Sequence, residues 1–171
     1  MNKIQVSKFV LISLSLGVSQ LTAQPVDNAN AQQIIDQLAP PVQSNSSSPS
    51  FRTRNLKPVH RSIDLVIQFD FDSARLQPIS KPLLDELATA MNSERLAQIN
   101  FQIEGHTDAK GTDTYNKGLS QLRAQAVMQY LKDKGIAVER LGSRGLGASQ
   151  LLYPDQPMAA ENRRVRVVAL P

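Results

Sequence analysis

The strongest constraint on the fold is a long amphipathic segment, GLSQLRAQAVMQYLKDKG, at residues 118–135. Its apolar residues recur with the period of an α-helix and share one face. These residues are Leu119, Leu122, Ala126, Val127, Tyr130 and Leu131. Lysines in the last turn and the glycine that follows predict that the helix ends at Gly135.

Segments with the periodicity of strands lie on both sides of this helix. Their alternating apolar residues are Leu65, Ile67, Phe69 and Phe71; Ile99, Phe101 and Ile103; and Val165, Val167 and Ala169. A weakly marked strand is expected near residues 141–145. A second helix is predicted in SKPLLDELATAMN, with Ser80 as its N-cap and Pro82 in its first turn. The order β-α-β-α-β-β predicts an α+β fold, a two-layer domain in which helices pack on a mixed sheet.

One charged residue, Arg123, interrupts the apolar face of the long helix. A guanidinium is almost never left in an apolar seam without a partner. Two interpretations are open. In the first, Arg123 forms an internal ion pair with Asp108 or Asp72 that only braces the fold. In the second, Arg123 and an acid hold opposite ends of a zwitterion: the guanidinium grips a carboxylate in a bidentate fork, and the aspartate accepts an ammonium.

The first 23 residues have the features of a secretory signal peptide. A basic start precedes an apolar stretch, and Ala23 supplies the small residue at the cleavage site. The alternative is an uncleaved membrane anchor, but Phe9 to Leu21 spans 13 residues, short of the ~20 that a transmembrane helix needs. The chain contains no cysteine, which excludes disulfides, thiolate chemistry, cysteine metal sites and acylation at a lipobox.

Residues 24–57 are predicted to contain one short helix followed by a linker. The segment NANAQQIIDQL presents Ile34, Ile35 and Leu38 at helical spacing, but it is shorter than the ~12–15 residues at which an isolated helix becomes marginal. A partly ordered tail is therefore favoured over a docked helix. The following APPVQSNSSSPS has the composition of a linker. The folded domain is expected at 58–171, with little contribution to its core from residues 24–57.

Composition and motifs give no support for nucleic-acid binding. The formal charge is +4. Without Lys3 and Lys8 of the predicted leader, 17 basic and 15 acidic residues remain, and no RNA-binding or zinc-finger pattern occurs. Near the last strand, Arg163, Arg164 and Arg166 are expected to form a solvated face.

His106 is the residue that best suits catalysis. It is a possible general base with Asp108 or Asp72, or a metal ligand, although metal sites usually need three or four ligands. The only other histidine, His60, has no ligand-like spacing, and no serine lies in a nucleophile-elbow context. We therefore predict no catalytic centre, metal or cofactor, and we interpret His106 as a hydrogen-bonding brace of its loop.

Four stretches together resemble a known family. FDFDSARL, IEGHTDAKGTDTYNKGLSQLRAQAV, LGSRGLG and NRRVRVV occur in the order found in the OmpA-like C-terminal domain, over about residues 60 to 171. The resemblance implies non-covalent, non-enzymatic binding of peptidoglycan through the meso-diaminopimelate of its stem peptide. One departure is Ala148, which stands where the family usually has an acid.

The resemblance also implies roles for particular residues. Asp108 and Arg123 resemble the acid and the arginine that hold diaminopimelate, so that Arg123 awaits the ligand's carboxylate. The surrounding pocket positions are Phe71, Asp72, Thr107, Asn116, Leu119 and Arg163.

These features predict a periplasmic chain that tethers the cell wall. Because the chain has no cysteine for a lipid anchor, association with the outer membrane would require a protein partner, for which residues 24–57 are the candidate contact. Two other functions stay open at this stage: an adaptor of an envelope assembly, and a wall hydrolase that uses His106 with Asp108 or Asp72.

Overall fold

A computed structural model describes residues 25–41 and 60–170 of the chain. Its helices are α1 (Ala31–Leu38), α2 (Lys81–Met91) and α3 (Asp113–Asp133), and its strands are β1 (Ser62–Leu65), β2 (Asn100–His106), β3 (Leu141–Gly147) and β4 (Val165–Leu170). The strands form one sheet in the order β1-β4-β2-β3. β2 and β3 are parallel, whereas β4 is antiparallel to both β1 and β2. The predicted α+β fold with a mixed sheet is confirmed.

Helix α3 lies unusually close to the sheet, on β2 and β3. A Cβ atom at Gly105 would overlap the carbonyl oxygen of Ser120, and one at Gly145 would overlap the backbone nitrogen of Gln121. Glycine is required at both positions because backbone faces backbone there.

This close approach changes which face of α3 is buried. The buried residues are Asn116, Ser120, Ala124, Val127 and Leu131, whereas Leu122 is 56% exposed. The predicted apolar face was therefore wrong in part. Small residues, Ser120 and Ala124, are buried in the part of α3 where the backbones are closest, larger ones, Val127 and Leu131, are buried further along, and Leu122 lies on the outer side.

The first strand is shorter than its alternating residues predicted. β1 ends at Leu65, and the chain then folds back so that Phe69 pairs with Leu76. We call residues 69–76 the 69–76 turn. Phe71 lies on this turn and is 98% exposed, so the expectation that it shares a buried strand face is wrong. Asp72 follows with φ of 50°, a left-handed conformation that aspartate tolerates better than most residues.

Residues 25–41 are packed against the domain, so the predicted partly ordered tail is wrong for this segment. Val26 bridges to Leu65 at the edge of the sheet, and α1 packs on α2. Ile34 and Leu38 are 0% and 1% exposed. Asn30 begins α1 with a capping box, which satisfies backbone N–H groups that the helix cannot pair itself.

Two polar contacts complete this docking. Ala31 donates its N–H to Glu86 Oε2 at 2.7 Å, and Arg95 pairs with Asp36 at 2.6 Å. The predicted signal peptide and most of the predicted linker lie outside the described residues. No helix within the described part of the chain has the length and hydropathy to span a bilayer.

Two arginines around the start of β4, Arg164 and the half-buried Arg166, form a charge cluster with the buried Asp64 of β1. Arg164 is 3% exposed and donates from Nε to Asp64 Oδ1 at 2.8 Å. Arg166, which lies opposite Asp64 in the strand register, makes a two-pronged contact at 2.9 and 3.0 Å. The prediction of a solvated face is wrong for these two residues, because the pairing of β4 with β1 brings a carboxylate to them.

Candidate functional site

An open cavity of about 630 Å³ lies between the 69–76 turn, the loop after β2 and the first half of α3. It brings together all eight residues that the resemblance singled out. Its lining consists of Phe69, Asp70, Phe71, Asp72, Thr107, Asp108, Lys110, Gly111, Tyr115, Asn116, Leu119, Arg123 and Arg163. Residues far apart in sequence meet here because β2 ends beside the start of α3.

Arg123 faces this cavity without an acidic partner. Its Nε donates to the Ser73 carbonyl at 2.9 Å, and its guanidinium carbon lies 5.0 Å from the centre of the Phe69 ring. Among the described residues, Arg123 makes no salt bridge. The interpretation of Arg123 as one half of an internal ion pair is therefore wrong, and the two Nη groups have no hydrogen-bond partner within the described part of the chain.

The electrostatic setting of Arg123 combines burial with charges of both signs. Burial, and after it the positive charge of Arg163, lower the pKa of Arg123, whereas Asp72 and Asp108 act in the opposite direction. The guanidinium nevertheless stays charged, because arginine is not deprotonated in proteins. A partly desolvated cation of this kind gains more from a bound anion than one in open water.

Asp108, in contrast, is held by the protein itself. Its Oδ2 accepts from Arg163 Nη1 at 2.7 Å, and its Oδ1 accepts from the backbone N–H of Lys110 at 3.1 Å. Asn116, 3% exposed, donates from Nδ2 to the Lys110 carbonyl at 3.0 Å. Asn116 therefore shapes the loop that carries Asp108, and its own side chain is largely hidden from the cavity.

Asp72 is fixed by a residue that the sequence reasoning missed. The hydroxyl of Tyr115 donates a hydrogen bond to Asp72 Oδ1. Tyr115, Leu119 and Arg123 are spaced by four residues on α3 and all line the cavity. This spacing was the signal that would have identified Tyr115, since residues four apart share one helix face.

The charges of the lining balance. Asp70, Asp72 and Asp108 supply three carboxylates, and Lys110, Arg123 and Arg163 supply three cations. Such a cavity suits a ligand that carries both signs of charge better than a simple anion or cation.

Comparison of the sequence with known proteins identifies the family of the chain. The sequence model of the OmpA family matches residues 68–165, more than half of the chain. The chain belongs to the OmpA family. It is 31% identical over 136 residues to outer membrane protein A of Citrobacter freundii, covering 80% of this chain and 51% of that protein. The chain thus spans about half the length of this relative, and 30% of outer membrane protein A of Shigella flexneri.

Two solved structures agree with the fold. The crystal structure of the peptidoglycan-associated lipoprotein from Burkholderia pseudomallei matches with a TM-score of 0.53 and 34% identity, over 64% of this chain and 90% of that one. The cell wall anchor of the T6SS from Pseudomonas aeruginosa matches with a TM-score of 0.52 and 25% identity, over 65% of this chain and 81% of that one.

Thr107 gives this OmpA-family cavity an unused hydrogen-bonding group. The residue is 3% exposed, and its backbone N–H donates to the Gly147 carbonyl at 3.0 Å. Its hydroxyl lines the cavity but is buried and has no partner among the described residues. A buried hydroxyl without a partner is costly, so a ligand group that reached it would gain a hydrogen bond.

His106 lies behind this OmpA-family cavity and does not line it. It is 2% exposed, and neither ring nitrogen has a well-formed hydrogen bond to the described residues. The interpretation of His106 as a hydrogen-bonding brace is therefore not supported. Burial, followed by the charges of Arg164 and Arg166, lowers the pKa of His106 to about 3. No group of three or more histidine, aspartate or glutamate side chains placed to bind a metal occurs in residues 25–41 and 60–170.

Proposed function

We propose that this chain binds peptidoglycan non-covalently, through the meso-diaminopimelate of the stem peptide, and tethers the cell wall to a partner in the envelope. The observation that carries the proposal is the unpaired guanidinium of Arg123 in a cavity of balanced charge. The relatives support it, because one solved neighbour is a peptidoglycan-associated lipoprotein and another is a cell wall anchor.

The ligand suits the cavity chemically. In a stem peptide, one centre of diaminopimelate lies in the peptide chain, and the other keeps a carboxylate and an amine on the same carbon. Arg123 would take the carboxylate in a bidentate contact, and an aspartate of the lining would take the ammonium. The remaining contact is the Thr107 hydroxyl, which has no partner within the described part of the chain.

The proposed activity is binding without cleavage. His106, the base that a wall hydrolase would need, is buried and does not line the cavity. Asp72 and Asp108, the acids that would assist it, do line the cavity. A general base must come within hydrogen-bond reach of the proton that it takes. The hydrolase alternative is therefore less well supported than binding.

We place the chain in the periplasm, associated with the outer membrane through a protein partner. The docking of α1 limits which residues of the 24–57 segment could contact that partner. Ile34, Ile35 and Leu38 are already buried in the domain, so a partner would contact the exposed side of α1 or the part of the segment outside the described residues.

The decisive experiment measures binding of the full chain to purified cell walls. Arg123→Ala should weaken binding to diaminopimelate-containing wall strongly, because removing one partner of a desolvated charge pair costs about 2–5 kcal/mol. Wall that contains lysine in place of diaminopimelate lacks the second carboxylate, so wild-type protein should prefer the diaminopimelate form.

The matched control is Arg144→Ala, which removes an exposed arginine outside the cavity. It should leave binding unchanged. If wild-type protein and Arg123→Ala bound both kinds of wall equally, the proposed function would be wrong.

A further inference from the structure

We infer that a groove at the N-terminal end of α1 binds a basic side chain of the envelope partner, an arginine or a lysine flanked by apolar residues. The groove lies between residues 27–30 and the stretch 79–86 at the start of α2, and we call it the α1–α2 groove. Its assignment rests on the proposed function, which gives the partner contact to residues 24–57. What is added is the surface that makes this contact and the chemistry that it takes.

The α1–α2 groove is separate from the cavity proposed for the wall. It has a volume of about 410 Å³, within the range that is typical of ligand sites, and it shares no lining residue with the cavity. Residues of the docked N-terminal segment form one side, and residues of the α2 region form the other. The groove therefore exists only while the segment is docked on the domain.

The apolar part of the groove combines a buried floor with an exposed rim. Ala29 and Leu83 are 5% and 6% exposed, whereas Ile79 is 69% exposed. Pro82 is exposed beside it. A single exposed apolar side chain is ordinary on a protein surface. Here, however, Ile79 and Pro82 border a concave surface, so a side chain that entered the groove would remove their apolar area from water.

The charged part of the groove carries one sign only. Asp27 and Glu86 line it, and no basic residue of the described part of the chain does. Neither carboxylate forms a salt bridge among the described residues, and the hydrogen bond that Glu86 accepts comes from the backbone N–H of Ala31 at 2.7 Å. Lys81 lies outside the lining and acts on Asp85. The wall cavity balances its charges internally, whereas the α1–α2 groove leaves two carboxylates without a cation.

Arginine and lysine match this combination of surfaces. Each has an aliphatic stem that packs on apolar groups and a cation at its end. The stem would lie on Ile79 and Pro82 while the head reached Asp27 or Glu86, which an arginine would contact through two parallel hydrogen bonds. An acidic side chain would be repelled. A membrane surface is a poorer match, because the two carboxylates would repel its anionic headgroups.

The test records amide NMR spectra of the isotopically labelled full chain during titration with capped tripeptides. The probes are leucine–arginine–leucine, the same peptide with citrulline in place of arginine, and leucine–glutamate–leucine. The arginine peptide should shift the resonances of residues 27–30 and 79–86. Citrulline has the shape of arginine without its charge, so its peptide should bind about three- to tenfold more weakly, as expected for contacts to exposed carboxylates. The glutamate peptide should leave these resonances unchanged.

Three variants at exposed lining residues separate the contributions. Asp27→Asn and Glu86→Gln should each reduce the preference for arginine over citrulline, because each removes one negative charge. Glu86→Gln keeps a side-chain oxygen that can accept the N–H of Ala31, so α1 should stay docked. Ile79→Ala should weaken the arginine and citrulline peptides alike, because it removes apolar contact with the stem.

The matched controls are the same kinds of change outside the groove. Asp155→Asn removes an exposed carboxylate, and Met158→Ala shortens an apolar side chain that is 60% exposed. Both should bind the peptides as wild-type protein does. All of these variants should bind purified wall normally, because none of the substituted residues lines the wall cavity.

Four outcomes would overturn the inference while the proposed function stands. These are no binding of the arginine peptide, equal affinity for the arginine and citrulline peptides, shifts that fall mainly outside the groove, and groove shifts that follow protein concentration without any peptide. The last result would identify a second copy of this chain as the occupant. Failure of wild-type protein to bind diaminopimelate-containing wall would instead overturn the proposed function, whatever the groove binds.

Discussion

Two clusters of charged residues, one in the cavity and one around Asp64, differ in how completely their charges are matched. Behind the cavity, Asp64 pairs with both Arg164 and Arg166 and is 5% exposed. In the cavity, Arg123 and Asp72 have no ionic partner among the described residues. The first cluster is complete without a ligand, and the second is not. The ion pairs of Asp64 indicate a structural role, whereas charged side chains without an ionic partner at a cavity are typical of a ligand-binding site.

The largest expected effect breaks the matched cluster. Asp64→Asn removes the carboxylate that the buried Arg164 and the half-buried Arg166 share, and removal of one partner from a buried ion pair costs about 3–5 kcal/mol. Urea unfolding should show this loss of free energy. The control is Asp72→Asn, the same chemical change at the unmatched acid, which should lower stability little. Similar losses in both variants would contradict the contrast between the clusters.

The next largest expected effect is a loss of stability when the docked N-terminal segment, residues 25–41, is disturbed. Ile34→Ala removes a side chain that is 0% exposed, and such truncations cost about 2–5 kcal/mol. The free energy of unfolding should fall while binding to the wall is retained, because Ile34 does not line the cavity. Gln37→Ala, on the exposed side of α1, is the control. A chain that starts at Lys57 should melt at a lower temperature than the full chain, and an unchanged melting temperature would show that α1 does not stabilise the domain.

His106 predicts a smaller, pH-dependent effect. Its pKa falls from 6.5 to about 3 in the folded protein, so the unfolded chain binds more protons between these values. Stability from this source is complete above about pH 6.5 and is lost as the pH falls, by up to about 1.4 kcal/mol per pH unit. His106→Gln should flatten the dependence of the unfolding free energy on pH in this range, with His60→Gln, at an exposed histidine, as the control. If His106→Gln left the pH dependence of the unfolding free energy unchanged, His106 would not be the source of that dependence.

The smallest effect concerns the unmatched arginine. Arg123→Met leaves no buried acid without its partner, since no acid pairs with Arg123 in the described part of the chain. Methionine suits the partly apolar surroundings, so the free energy of unfolding should change by less than ~1 kcal/mol, below the typical range for disruptive substitutions. Binding to diaminopimelate-containing wall should nevertheless weaken as strongly as in Arg123→Ala. A stability loss as large as that of Asp64→Asn would show that Arg123 is a structural brace.

Local patterns in the sequence predicted what depends on local physics. The periods of α2, α3 and β2 are visible within a few residues. The end of α3 at Asp133, two residues before Gly135, agrees with the glycine signal, because Gly135 adopts a φ of 90° that glycine tolerates easily. Arg123 was identifiable as exceptional because a cation in an apolar stripe conflicts with its surroundings.

The predictions that were wrong concern features that depend on contacts between segments far apart in the sequence. The burial of Arg164 required the knowledge that β4 pairs with β1 in a register that brings Asp64 to it. The outward turn of Leu122 required the knowledge that Gly105 lets α3 touch the sheet backbone. The docking of α1 could not be read from its eight residues, because its stability comes from the surface of α2 and not from the helix itself.

The docking of α1 has a mechanical consequence. A force applied at Pro25, where the docked segment begins, reaches the domain first through the bridge between Val26 and Leu65 and the packing of α1 on α2. If α1 were pulled off, residues 25–59 would enter the line of force and add up to roughly 120 Å of reach, at about 3.3–3.6 Å per extended residue. If the chain tethers the wall as proposed, detachment of α1 would lengthen the attachment without unfolding the sheet that carries the cavity.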